Sequence, residues 1–339
     1  MLKRSHRSKD MSHRQISDIK TLSGLTKFAA LDLSHNQIVN ISALSGLTNL
    51  ADLDLRDNRI VDVSPAASLI NLAEFGLSNN QIADISPLST LSKLLKLFLD
   101  GNEVVDIAPL SRLTNLTGLV LSNNQIADIS PLSGLSRLAV LGLNNNQIDD
   151  ISALSTLGEL KVLGLNNNQI DDISALSSLT RLEYLRLADN LITDISALSN
   201  LTNLTQLDLR TNQIVDISPL SGLSNLSWLL LASNEIVDVG VLSATTDLVS
   251  LDLNNNHIVD ISPLSRLLDL YNLNLENNEI SDISPLVTNR KFGRKNKVSL
   301  CNNYLDLSDG SPNMRDIETL RCRVVEILFE PQKTIPAID

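Results

Sequence analysis

Aromatic residues, cysteines and long apolar runs are all scarce in this chain of 339 residues. Aromatic side chains make up only 3% of it, so its core must be built from aliphatic residues. No apolar run approaches the roughly 18 to 20 residues that a membrane-spanning helix needs, and we predict no membrane span. The cysteines, Cys301 and Cys322, are too few for a disulfide framework, so we expect reduced thiols.

Motifs that carry chemistry are absent as well. The sequence has no phosphate-binding loop, no dinucleotide glycine motif and no nucleophile elbow, and its four histidines lack metal-ligand spacing. A chain with a formal net charge of −12 is a poor ligand for nucleic acid. We therefore predict a protein that is not an enzyme, holds no cofactor or metal, and binds no nucleic acid.

The amino terminus, MLKRSHRSKDMSHRQ, is basic and lacks the apolar stretch of a secretory signal. We expect residues 1–13 to form a disordered basic tail. As the sequence is written, it predicts a cytoplasmic protein. If the amino terminus is incomplete, the alternative is a secreted or cell-surface protein.

A 22-residue repeat occupies most of the chain. One unit begins at Leu50, and further units begin at Leu72, Leu94, Leu116, Leu138, Leu160, Leu182, Leu204, Leu226, Leu248 and Leu270. Positions 4 and 6 of each unit are apolar with one residue between them, a pattern that predicts a short strand with one buried face. Successive strands should stack as a parallel sheet about 4.8 Å apart. We assign about 13 to 14 units to residues 14–307.

Asparagine occupies position 9 of every unit, where the chain turns away from its strand. A buried amide there can donate to and accept from orphaned backbone groups, so we predict a ladder of hydrogen bonds through this column. Its members are Asn36, Asn58, Asn80, Asn102, Asn124, Asn146, Asn168, Asn190, Asn212, Asn234, Asn256, Asn278 and Asn303.

Aspartate occupies position 13 of almost every unit, and these 12 carboxylates equal the whole formal net charge. They are Asp18, Asp62, Asp84, Asp106, Asp128, Asp150, Asp172, Asp194, Asp216, Asp238, Asp260 and Asp282. We favour a capping role for them over a calcium-binding stripe, because calcium needs six to eight oxygens converging on one point. The Ser-Pro-Leu or Ser-Ala-Leu that follows predicts a short 3₁₀ or α-helical turn, with Ser as its N-cap.

The pattern LxxLxLxxNxIxDISPLxxLxx resembles the 22-residue leucine-rich repeat class of the bacterial internalin family. It is also similar to the cytosolic leucine-rich regulatory subunit of a eukaryotic serine/threonine phosphatase. The resemblance implies an α/β fold, a right-handed leucine-rich repeat solenoid (horseshoe). Its parallel β-sheet would line the concave face, with short 3₁₀ or α turns on the convex face.

Residues 308–339 follow the repeats, and we predict that they form a carboxy-terminal cap of one helix and one strand, with a tail. The residues of SPNMRDIETLRCR have helical spacing, and VVEILFEP alternates as a strand does. Before this cap, a basic loop carries Arg290, Lys291, Arg294, Lys295 and Lys297. We interpret this loop as a solvated insertion, and contact with phosphate or an acidic partner remains the alternative.

Positions 3, 5 and 7 of each unit face outward from the strands, so they can vary and carry specificity. In the middle of the array they form a bland floor that includes Val120, Val140 and Gly142. Three adjacent units differ, since they supply the residue types that dominate binding hot spots. Their outward residues, called here the aromatic–arginine patch, are Tyr184, Arg186, Gln206, Asp208, Arg210, Trp228 and Leu230. Phe98 with Lys96 is a second, isolated candidate.

The sequence thus predicts a monomeric, non-catalytic module whose concave face binds a protein partner through the aromatic–arginine patch. One alternative is a secreted or cell-surface adhesion protein of internalin type. Another is a structural scaffold in a larger assembly, or a subunit like the phosphatase regulator.

Overall fold

The computed structural model describes residues 8–293, 296–323 and 325–334. The chain divides into two compact units, unit 1 (Met1–Gln169) and unit 2 (Ile170–Asp339). In each, every repeat contributes one three-residue strand and one short helical turn, because 22 residues leave room for no longer element. This is the leucine-rich repeat solenoid that the sequence predicts.

Unit 1 contains eight strands, which pair in chain order and in parallel, with a register of one repeat per strand. They are β1 (Ser8–Asp10), β2 (Ala30–Asp32), β3 (Asp52–Asp54), β4 (Glu74–Gly76), β5 (Lys96–Phe98), β6 (Gly118–Val120), β7 (Val140–Gly142) and β8 (Val162–Gly164). Its 3₁₀ turns span Lys20–Gly24, Ser42–Leu44, Ser64–Ser68, Ser86–Thr90, Ala108–Arg112, Ser130–Leu132 and Ser152–Thr156.

Unit 2 contains the next seven strands, which are also parallel and paired in chain order. They are β9 (Tyr184–Arg186), β10 (Gln206–Asp208), β11 (Trp228–Leu230), β12 (Ser250–Asp252), β13 (Asn272–Asn274), β14 (Lys297–Ser299) and β15 (Glu326–Leu328). Its 3₁₀ turns span Ser174–Ser178, Ser196–Leu198, Ser218–Gly222, Gly240–Ala244 and Ser262–Arg266. Two α-helices follow, α1 (Ser284–Thr288) and α2 (Pro312–Cys322).

The core of each unit is aliphatic, and the same repeat positions supply it throughout. Leu141 and Leu143, at positions 4 and 6, are fully buried, as are Ile148 and Leu154 from the rest of that repeat. Each buried leucine contributes roughly 1.5–3 kcal/mol relative to leaving it exposed. Because each repeat packs only on its neighbours, the core is continuous within a unit rather than gathered at one centre.

The predicted asparagine ladder is present, and Asn234 shows its geometry. Its Oδ1 accepts from the amide of Ile214 at 3.0 Å, and its Nδ2 donates to the carbonyls of Leu209 and Leu231, each at 3.0 Å. One side chain therefore joins two successive repeats through backbone groups that the strands leave unpaired. Among the described residues, no buried side-chain nitrogen or oxygen lacks a hydrogen-bond partner.

The helical turns begin differently from the sequence prediction. The N-cap residue is the buried apolar residue at position 14, such as Ile85, and the serine is the first residue of the turn. The aspartate at position 13 supplies the cap, because Oδ1 of Asp84 accepts the amide of Ser86 at 2.8 Å. The capping role predicted for the aspartates is therefore confirmed, and the role predicted for the serines is wrong. The carboxylate of Asp84 lies two residues before the turn and accepts the amide of its first residue, Ser86. The hydroxyl of Ser86 does not accept that amide.

Position 8 adopts a left-handed backbone in every described repeat, a feature that the sequence analysis did not predict. Asn145, Asn167 and Gly101 are examples, with φ values of 55°, 56° and 67°. Asparagine, aspartate and glycine tolerate this region, and they occupy most of the column. Thr211 is the one β-branched residue in it, at φ 52°.

The amino-terminal end differs from the predicted boundary, whereas the carboxy-terminal end has the predicted helix and strand. Ser8–Asp10 pairs with Ala30–Asp32 as strand β1, where a disordered tail was expected; residues 1–7 lie outside the described residues. This pairing is made by backbone groups, so the polar sequence SKD carries no signal for it. At the other end, α2 begins after the N-cap Ser311, and its own residues Ile317 and Leu320 are buried. Strand β15 then pairs with β14.

We predict that Asn234→Ala lowers the free energy of unfolding by about 2–4 kcal/mol, because each orphaned buried backbone group costs about 1–3 kcal/mol. Urea denaturation followed by circular dichroism measures this change. Asn225→Ala is the matched control, since that exposed asparagine donates only one hydrogen bond, to Thr202. Equal losses in the two variants would contradict the ladder's structural role.

We expect Thr211→Asn to raise the free energy of unfolding by about 1 kcal/mol, because asparagine adopts the left-handed region at lower cost than a β-branched residue. The reciprocal variant Asn255→Thr, at the same repeat position, should lower it. Paired chemical denaturation curves test both changes, and an unchanged midpoint in both variants would refute the argument.

Candidate functional site

The candidate site lies on the outer face of the unit 2 sheet, called here the strand face. In strands β9 to β14 the middle side chain is buried in the core, and positions 3 and 5 face outward. Position 7 follows on the same face. The aromatic–arginine patch occupies these positions on β9, β10 and β11.

Strand register brings the predicted patch residues together in two rows. Tyr184, Gln206 and Trp228 are paired across the strands at position 3. Arg186, Asp208 and Leu230 are paired in the same way at position 5. With strands about 4.8 Å apart, each row spans about 10 Å. The structure thus places all the predicted patch residues on one continuous surface of unit 2.

Two exposed aromatic side chains distinguish this patch from the outward positions of other repeats. Trp228 is 49% exposed and Tyr184 is 38% exposed. Between them, Gln206 is half-buried. Ser250, next along the row from Trp228, is only 6% exposed although it faces outward. The two rings therefore leave apolar area open to solvent while the small residues beside them are covered.

The patch contains one ion pair, between Asp208 and Arg210, and one exposed cation without an ion-pair partner, Arg186. Asp208 is buried, and its carboxylate accepts from Nε and Nη2 of Arg210 at 2.9 Å and 2.7 Å. This carboxylate holds the pKa of Arg210 above its usual range. The side chain of Arg186, by contrast, is exposed and makes no ion pair or hydrogen bond with the part of the chain that the structure describes. Asp208 therefore holds the Arg210 side chain in place, and the guanidinium of Arg186 stays open to solvent.

Sequence reasoning missed Asp252, which lies on β12 beside Leu230. Burial raises the pKa of its carboxyl above the ordinary value, while hydrogen bonds from Asn254 and the positive charge of Arg210 oppose that rise. Nδ2 of Asn254 donates to it at 2.8 Å. The sequence could have indicated it, because Asp252 occupies position 5 of the next repeat and so continues the row that contains Arg186.

The second candidate, Phe98 with Lys96, lies in unit 1. Lys96 pairs with Glu74, with Nζ 3.1 Å from the carboxylate, and Phe98 is half-buried. Unit 1 also contains an ion pair like that of the patch, between Asp54 and Arg56, with no exposed tryptophan or tyrosine beside it. An aspartate–arginine pair at positions 5 and 7 is therefore a feature of the scaffold and does not by itself mark a site.

Two described lysines of the basic loop of residues 290–297 form ion pairs with separate acidic residues. Lys291 pairs with Asp269 and Lys297 pairs with Glu326, at 3.3 Å and 3.2 Å. Both pairs are exposed, so each contributes about 0–1 kcal/mol. Arg294 and Lys295 lie outside the described residues.

The aspartate column lies away from the strand face and serves its own repeats. The amide and hydroxyl of Ser174 hydrogen-bond the Asp172 carboxylate and lower its pKa, and Asp84, Asp128 and Asp216 follow the same pattern. Across residues 8–293, 296–323 and 325–334, no group of three or more His, Cys, Asp or Glu residues is placed to hold a metal ion. Within the same ranges, no helix combines the length and hydropathy that a bilayer span requires.

Comparison with known proteins agrees with this architecture. The family model for leucine-rich repeats in two copies matches residues 30–68, 114–156, 158–200, 180–222, 224–266 and 246–288. An internalin of Listeria monocytogenes, internalin F, is 38% identical, with a TM-score of 0.83 over 84% of this chain and 85% of that one. The chain therefore belongs to the leucine-rich repeat family, in its bacterial internalin-like branch.

Two further solved structures place this likeness in context. Internalin C2 of Listeria monocytogenes is 38% identical, with a TM-score of 0.53 over 54% of this chain and 80% of that one. A leucine-rich repeat protein of Leptospira interrogans is 22% identical and shows the same fold, with a TM-score of 0.78 over 95% of each chain. No curated protein matches this chain.

The lowered pKa values of the aspartate column lead to a prediction about stability and pH. A carboxyl whose pKa is lower in the folded state stabilises the fold above its ordinary pKa, 3.8 for Asp172, and loses that contribution as pH falls through the folded pKa. We expect the advantage of the native protein over Asp172→Asn to stay constant from pH 6 to about pH 5, and to shrink as the pH falls further, through 3.8 and below.

Denaturation of both proteins across this pH range measures the effect. Asn40 occupies the same repeat position, and its Oδ1 accepts the amide of Ser42 at 2.8 Å, so an amide can also cap the turn. Asn40→Asp is therefore the reciprocal variant, and it should acquire the pH dependence that Asp172→Asn loses. A native-minus-variant difference that stays constant with pH would contradict the role assigned to the charge.

Proposed function

We propose that this protein is a non-catalytic binding module that docks a protein partner on the strand face of unit 2. The leucine-rich repeat solenoid is a fold typical of protein-binding modules. The observation that carries the proposal is the exposure of Trp228, the one tryptophan of the chain, beside Tyr184 and Arg186. Tryptophan, tyrosine and arginine are the residue types enriched in binding hot spots.

The mechanism is rigid presentation of these side chains. The backbone of Trp228 is fixed by strand pairing on both sides, and that of Tyr184 and Arg186 by pairing with β10. The asparagine ladder behind these strands holds them further, as at Asn212 and Asn234. A surface that is ordered before binding loses little conformational entropy when a partner docks. The patch residues therefore contribute their contacts with only a small ordering cost.

An adhesion role of internalin type is a second candidate function, and the 38% identity to internalin F favours it. It differs from the first in where the protein acts, since an adhesion protein must be exported. We propose to separate the two by fractionating the source cells and locating the protein with an antibody. Recovery from the cell surface or medium supports adhesion, and recovery from the cytosol supports an intracellular partner.

The first candidate predicts the effect of removing the anchors. After affinity capture and identification of a partner, Trp228→Ala and Arg186→Ala should each weaken its binding by about tenfold or more, as hot-spot truncations do. Isothermal titration calorimetry with purified proteins measures the affinities. Size measurement in solution should show that the free protein is a monomer.

Two variants in unit 1 serve as matched controls. Phe98→Ala removes an aromatic side chain from the same repeat position as Leu230, and Arg112→Ala removes an exposed arginine on a 3₁₀ turn. Both should leave the affinity unchanged. If Trp228→Ala and Arg186→Ala also leave the affinity unchanged, the proposed site is wrong.

A further inference from the structure

Along the row of position 5 residues on the strand face of unit 2, some charged side chains have an ion-pair partner and others do not. Arg186 stands directly across from Asp208, yet that carboxylate is already bound by two nitrogens of Arg210. The guanidinium of Arg186 is exposed and has no partner within the described part of unit 2. One end of the row therefore offers a cation with its full hydrogen-bonding capacity.

Three strands further along the row, Asp252 offers a carboxylate without a cation. Asp252 is half-buried and accepts from the amide and side chain of Asn254, at 3.3 Å and 2.8 Å. It forms no ion pair with any described residue, and the nearby charges are those of Arg210, which attracts it, and Asp208, which repels it. A partly desolvated carboxylate gains from an added cation more than an exposed one does.

An apolar strand separates these two charges. On β11, Trp228 is 49% exposed, Leu230 is half-buried, and Ala232 follows at position 7. Register places Leu230 between Asp208 and Asp252, so the apolar side chains stand between Arg186 and Asp252. From β9 to β12 the face therefore presents the cation of Arg186, the ion pair of Asp208 with Arg210, the apolar side chains of β11, and the carboxylate of Asp252.

The spacing of these groups matches an extended peptide. Arg186 and Asp252 are three strands apart, which is about 14 Å at about 4.8 Å per strand. An extended chain rises about 3.4 Å per residue, so about four residues span that distance, and side chains four apart face the same way. The position 3 and 5 rows together are about 7 Å wide, which is narrower than the 10–12 Å diameter of a helix with its side chains.

We propose that this face binds an extended segment of a protein partner that carries an acidic and a basic side chain about four residues apart, with an apolar side chain between them. The acidic group pairs with Arg186, the apolar group packs on Trp228 and Leu230, and the basic group pairs with Asp252. This inference rests on the proposed function, because it names the kind of partner segment that the same patch accepts.

Selection from a phage-displayed library of random 12-residue peptides, on the full chain, tests the proposal. We expect the selected peptides to share an acidic and a basic residue about four positions apart, flanking an apolar residue. Synthetic copies can then be titrated by intrinsic fluorescence. Trp228 is the one tryptophan of the chain, so its emission reports on the site directly, provided that the peptides used lack tryptophan.

Charge reversal identifies which residue meets which charge. Arg186→Glu should weaken binding of a selected peptide about tenfold or more, and replacing the acidic residue of that peptide by lysine should restore it. Asp252→Asn, which keeps the shape of the side chain, should weaken the same peptide and leave unaffected a version whose basic residue is replaced by alanine. Circular dichroism checks that both variants are folded.

Arg112→Glu is the matched control, because it makes the same charge change on an exposed 3₁₀ turn of unit 1. It should not alter the affinity. Peptides that require Trp228, measured with Trp228→Ala by calorimetry, but ignore Arg186→Glu and Asp252→Asn would overturn this inference and leave the proposed function standing. Peptides that ignore Trp228→Ala as well would overturn both, and a selection that enriches no sequence would overturn this inference.

Discussion

The hydrogen bonds of one buried asparagine per repeat are the constraint on which the rest of the structure depends. Each strand is only three residues long. Where the chain turns away from it, backbone amides and carbonyls are left without a strand partner and out of contact with water. The amide of Asn234 reaches both its own repeat and the preceding one, so the same bonds that satisfy the turn also join the repeats. Leucine packing supplies the energy of the core, but these bonds set its period.

Because buried side chains set the repeat period, the fold does not constrain the outward residues at positions 3, 5 and 7. The aspartate column, by contrast, is constrained by the fold. Its carboxylates cap the helical turns through the amides two residues on, as Asp172 does for Ser174, and so the acidity of the chain belongs to the scaffold. On the strand face, by contrast, the side chains of Arg186 and Asp252 form no ion pair with any described residue, and we propose that these are the charges a partner recognises.

The aromatic–arginine patch shows how a regular scaffold produces a local site. Every repeat offers the same three outward positions, and the pairing register carries each of them into a straight row. A few distinctive residues in adjacent repeats, here Tyr184, Arg186 and Trp228, then make a local surface unlike the rest of the face, and we propose that it binds a partner. The position 5 and 7 pair Asp54–Arg56 in unit 1 matches Asp208–Arg210 in unit 2, which shows that similar local chemistry recurs without the exposed aromatic residues.

The sequence by itself determined the repeat, the parallel strands, the asparagine ladder, the aspartate caps and the set of outward residues, because each depends on spacing within one repeat. Tertiary structure alone decided that Asp208 is buried and bound by Arg210 while the Arg186 side chain stays exposed, and that Asp252 is half-buried with no ion pair to a described residue. It also decided the left-handed column at position 8 and the pairing of Ser8–Asp10. The physical reason is that ion pairing, burial and backbone pairing depend on neighbours a full repeat away, and on which of several acceptors a long side chain reaches.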